Sequence, residues 1–91
     1  MSQAHVDPQS LRQFNDELKQ FNEFIEEALA DIHHKLNGLG QTWRDGEYEK
    51  FVDIFQTTAR LLENFNTEAN VVIPQLEKEA DLTEKFQRIR M

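Results

Sequence analysis

The sequence predicts an all-α fold, an antiparallel two-helix hairpin that dimerises to a four-helix bundle. Three observations carry that expectation. Apolar residues repeat at alternating steps of three and four along two long segments. All three glycines, Gly38, Gly40 and Gly46, fall in one window of nine residues between those segments. The only β-branched run, Val71-Val72-Ile73, ends in a proline, so no strand is expected.

The first arm opens at Asp7-Pro8, an N-cap followed by a proline at the first helical position, where its missing N–H costs nothing. Val6 and Leu11 occupy the two staple positions around that cap, and residues 1–6 are expected to be a disordered N-terminus. The stripe Leu11, Phe14, Leu18, Phe21, Ile25, Ala28 and Ile32, extended by Leu36, predicts a helix over about 8–37. Asn37-Gly38 reads as a left-handed stop, with a turn over 38–42. In the second arm Thr42 reads as the cap and Trp43 as the first helical residue of a helix over about 43–88. Asp45, Glu47 and Glu49 load its opening turns with the charge that the helix dipole favours. The stripe Tyr48, Phe51, Phe55, Thr58, Leu62, Phe65, Ala69, Val72 and Leu76 stays in phase through Pro74, so a kink there is expected rather than a new element. Past Pro74 the pairs Asp81/Lys85 and Glu84/Arg88 are spaced to support the helix, which is expected to fray near Met91.

Composition narrows the function. The chain has 91 residues with 17 acidic and 10 basic, a net charge of -7, and no cysteine. That is one small domain without a disulfide framework, a thiolate nucleophile or a Cys-based zinc site. No apolar stretch approaches the ~20 residues that span a bilayer, and the first residues lack the regions of a signal peptide. Residues 1–73 hold 13 acidic against 6 basic residues, a surface that repels nucleic-acid phosphate and anionic membranes. No catalytic or cofactor-binding residues are expected, because a two-helix hairpin offers no concave scaffold to hold them. Glu27, Asp31 and His34 share carboxylate-x-x-His spacing with di-iron bundles, but their register lies beside or outside the seam, so no metal site is expected.

The apolar stripes are wider than a two-helix seam needs. Phe24, Leu29 and Leu36 flank the first, and Val52, Ile54, Leu61 and Ile73 the second. Each large apolar side chain left in water forgoes about 1.5–3 kcal/mol, so a second hairpin is the natural cover. Leu18, Phe21, Ile25, Phe55, Leu62 and Phe65 are the expected bundle core. Trp43, beside the glycine turn, reads either as a core aromatic closing the hairpin tip or as an amphipathic ring that docks on a second molecule.

The two amphipathic arms, with Leu36, Leu39, Trp43-Arg44-Asp45-Gly46, Phe51 and Phe55 around the turn, resemble the WXG superfamily of small helical hairpins associated with type VII secretion. The resemblance spans about residues 7–76, with Trp43 matching the family tryptophan. Asp45 stands where the strict Trp-x-Gly motif has glycine, and Gly46 follows one position later. The tail frame Phe86-Gln87-Arg88-Ile89-Arg90 has the aromatic of the family's Tyr-x-x-x-Asp/Glu signal but the opposite charge at its end. The resemblance implies a homodimer, or a heterodimer with a paralogous hairpin, and a role as secretion substrate or as the carrier of one. It places the chain in the cytoplasm until export without a cleaved signal peptide. Trp43, Asp45 and Gly46 would then form a tip that meets a secretion ATPase or a larger effector. The alternative is a cytoplasmic adaptor or chaperone that holds a larger effector in an exposed helical groove.

Overall fold

The computed structural model describes residues 6–89; Met91, and with it the expected fraying, and all of the expected N-terminal segment but Val6 lie outside the described residues. Two helices, α1 (Pro8–Leu39) and α2 (Gly46–Ile89), pack against each other as a hairpin measuring 68 × 23 × 15 Å. The long axis is that of α2, whose 44 residues span about 66 Å at 1.5 Å per residue.

Asp7 caps α1 as its sequence predicts. Its carboxylate accepts hydrogen bonds from the Gln9 and Ser10 N–H groups at 3.4 and 3.3 Å and from the Ser10 hydroxyl at 2.8 Å. The Ser10 hydroxyl first, and then the two backbone donors, hold the Asp7 carboxyl below its ordinary value of 3.8. A carboxyl lowered on folding stabilises the folded state above its unfolded pKa and loses that contribution as pH falls through the folded one. Asp7→Ala is therefore expected to lower the melting temperature at neutral pH, and the gap from the wild type, followed by circular dichroism, is expected to close below pH 3.8.

The turn departs from its sequence reading. The backbone is free of positive φ among the described residues, so Asn37-Gly38 makes no left-handed stop and α1 continues to Leu39. The chain reverses instead through tight backbone bonds, from the Gln41 N–H to the Gly38 carbonyl at 3.2 Å and from the Trp43 N–H to the Leu39 carbonyl at 2.7 Å. Glycine is needed at position 40 for room rather than for φ. A Cβ there would lie 2.5 Å from the hydroxyl oxygen of Tyr48 and 2.9 Å from its ring. Thr42 does not cap α2, since its hydroxyl bonds back to the Leu39 carbonyl. Asp45 is the cap, accepting from the Glu47 and Tyr48 N–H groups at 3.0 and 3.4 Å, so α2 begins at Gly46 rather than Trp43.

α2 runs as one helix through Pro74 to Ile89. Pro74 has no N–H for the Asn70 carbonyl, and α1 meets this turn with two asparagines. Asn15 donates to the Ile73 carbonyl at 3.0 Å, and Asn22 to the Asn70 side-chain oxygen at 2.9 Å. Asp81 and Glu84 turn to Arg12 of α1, at 2.9 and 2.8 Å, rather than to Lys85 and Arg88 as their spacing suggests. Lys19 meets Glu77 at 2.6 Å. These ion pairs are exposed and fix alignment more than stability.

Each arm sets one expected row of its stripe in the seam and turns the other outward. On α1 Leu11, Leu18 and Ile25 line the seam and Phe14 and Phe21 are exposed, as is Ile32 where the seam row ends. The place of the two phenylalanines is taken by the heptad row Pro8, Asn15, Asn22, Leu29 and Leu36, of which only Leu29 is not fully buried. On α2 Tyr48, Phe55, Leu62, Ala69 and Leu76 line the seam, while Phe51, Thr58, Phe65 and Val72 are exposed. The row that replaces those four is Val52, Ala59, Asn66, Ile73 and Ala80. Leu36 and Ile73, expected as flanking residues, thus belong to the core. Close approach of the backbones explains the rotation. Asn22 donates to the Asn66 carbonyl at 3.2 Å and Asn66 to the Asn22 carbonyl at 2.9 Å, a reciprocal clasp buried between the helices. A side chain as short as asparagine reaches an opposing backbone only when the axes are close. Ala80, with no exposed surface, fits such a gap, whereas phenylalanine does not.

Candidate functional site

Two faces of the hairpin differ sharply. On one, the outward rows of both helices meet. Phe21 and Phe65 contact edge to face with ring centres 5.9 Å apart, which puts the two rows on the same side. Phe14, Phe24, Ile32 and Leu39 extend that side along α1, and Phe51, Ile54, Leu61 and Val72 extend it along α2, all exposed. Phe21 keeps 50 % of its surface in contact with solvent and Phe65 41 %. With a large ring covering 150–250 Å² when buried, these side chains leave on the order of 700 Å² of apolar surface open. That exceeds the 300–600 Å² patch usual on a monomer and approaches the ~800 Å² per partner of a stable complex.

Of the six residues expected in the bundle core, Ile25 is buried in the seam, and Leu18, Phe55 and Leu62 are half-buried there. Phe21 and Phe65 lie on the open face. The sequence carried a signal for this division. Asn15 and Asn22 stand seven apart in phase with Leu29 and Leu36, which marks an a-type row with polar members.

The opposite face is a groove of about 580 Å³ between the helices, lined by Leu29, Ala30, His33, Phe55, Ala59, Arg60, Glu63 and their neighbours. The small side chains Ala30 and Ala59 open it, and His33 stacks on Phe55 at 6.3 Å along one wall.

At the turn the structure brings Trp43, Asp45 and Gly46 together. Half-buried Trp43 donates its indole N–H to Asp45 at 2.8 Å and packs edge-on against Tyr48 at 5.4 Å. Tyr48 donates its hydroxyl to the Leu36 carbonyl at 3.2 Å over Gly40. Asp45 thus holds the ring and caps α2 with the same oxygen, Oδ1. Asp45 thereby joins the tip to the start of α2. The indole N–H of Trp43 is thus taken up within the chain. Asp45→Ala removes both roles and is expected to cost about 1–2 kcal/mol of stability, read by chemical denaturation, with a shift of the tryptophan emission.

Glu27, Asp31 and His34 are all exposed, and Asp31 pairs with Lys35 at 3.0 Å. No helix of the described residues is long and apolar enough to cross a membrane. No protein-family model and no curated protein sequence matches the chain.

Proposed function

We propose that this chain is a non-enzymatic helical-hairpin protein of the WXG type. It pairs through its phenylalanine face, with itself or a paralogous hairpin, to form a four-helix bundle. In that state it serves as a type VII-like secretion substrate, or as the dimer partner and carrier of one. The observation that supports pairing is the apolar face around Phe21 and Phe65, too large for a hairpin that works alone. A second hairpin is the matching cover, since two such faces enclose the three-in-seven apolar pattern of a bundle. The resemblance around Trp43 supports the secretion role, with Trp43, Asp45 and Gly46 as the tip offered to a secretion ATPase or an effector. The chain is then cytoplasmic until it leaves without a cleaved signal peptide.

The test is made in the producing cell. A tagged chain is expected in the medium, alone or with a co-purifying hairpin, and it is expected to stay inside once the hexameric secretion ATPase is deleted. Retention in both strains would reject the secretion role and favour the adaptor reading, which the groove at Ala30 and Ala59 supports as a place for an effector helix.

A further inference from the structure

The charges beside the phenylalanine face bear on which chain covers it. Glu17 lies three residues after Phe14 and four before Phe21; Glu68 lies three after Phe65 and four before Val72. At these spacings both carboxylates border the middle of the face. Both are exposed, and neither has a cation within 4.0 Å among the described residues. The two lysines that border the same face, Lys35 and Lys50, are already paired within their own helices, with Asp31 and Glu47.

A second copy would stack by a two-fold axis lying in the interface. With the axis along the hairpin, Glu17 comes opposite the Glu68 of the other copy, because both sit about one turn from the Phe21–Phe65 contact toward the chain ends. With the axis across the hairpin at that contact, each carboxylate comes within about two turns, ~11 Å, of its own equivalent. Either arrangement gathers four uncompensated carboxylates around the centre, close to the ~8–10 Å Debye length. It also joins two molecules of net charge -7. Like charges juxtaposed across an interface act against a partner as effectively as contacts act for one.

We propose that the phenylalanine face is built for a different helical chain, one whose own apolar face carries Lys or Arg opposite Glu17 and Glu68, in preference to a second copy of this chain. The proposal rests on the reading of that face as a pairing surface, and the test separates the two. The probe is the double variant Glu17→Lys/Glu68→Lys, an exposed-site change whose helicity is checked by circular dichroism. Wild type, variant and their equimolar mixture are followed by sedimentation equilibrium at about 0.02 M and about 1 M salt. The mixture is expected to pair at low salt at least roughly tenfold more tightly than the wild type pairs with itself, and to weaken as salt rises. Wild-type self-pairing is expected to strengthen with salt. Wild type that pairs with itself at low salt as tightly as with the variant would overturn the charge preference and leave the pairing surface standing. Lone hairpins in every mixture and at every salt would overturn both. Pairing of the mixture that survives Phe21→Glu in both chains would place the contact elsewhere and overturn the proposal.

Discussion

Phe21→Glu combined with Phe65→Glu is expected to leave the hairpin helical and to abolish its pairing at high salt, a loss of more than about 100-fold in association read by light scattering. Both rings keep about half of their surface in solvent and lie outside the buried seam, so the hairpin loses their edge-to-face contact, worth about 0.5–1.5 kcal/mol beyond the area the rings cover, and keeps its buried seam residues. In a bundle the same two positions are central. There each carboxylate would be buried without a partner, at a cost of several kcal/mol. Equal losses of helicity and pairing would show that the face serves the hairpin's own fold.

The second large effect lies in the buried asparagines. Asn22→Ala removes the donor to the Asn66 carbonyl and to the Asn70 side chain and is expected to lower stability by about 1–3 kcal/mol. Replacing Asn15, Asn22 and Asn66 together by leucine has a different expected outcome. Helicity persists or rises, because the side-chain oxygens of Asn15 and Asn22, buried without a partner, are removed. The population, however, spreads over several registers and association states, seen as multiple species in sedimentation. A polar residue at a seam position fixes alignment at a cost in stability, and the clasp between Asn22 and Asn66 forms in one register only.

The elements were legible in the sequence, and the rotation of the helices was not. Asp7-Pro8, the glycine window and the three-and-four spacing mark two helices in the places where they lie. The turn chemistry misleads at Thr42 and Gly38, because Asp45 is the better cap and Gly40 is kept small by Tyr48, which lies eight places further along the chain and packs directly over it. Apolar periodicity alone favours Phe14 and Phe21 for the seam, since a hydropathy pattern ranks phenylalanine above asparagine. Reciprocal side-chain-to-backbone bonds reverse that order locally: they hold the two backbones closer than an aromatic pair allows. The site was legible in its parts, with Phe21, Phe65, Trp43 and Asp45 all singled out. The partition of those phenylalanines between inner and outer faces required the packing of one helix on the other.

The 68 × 23 × 15 Å outline has a practical consequence. The radius of gyration is 20.0 Å, against about 12 Å for a compact chain of this length. A single molecule therefore drags through solvent and gel pores like a globular protein of greater mass, so an elution volume calibrated on spherical standards would overstate its mass and mimic association.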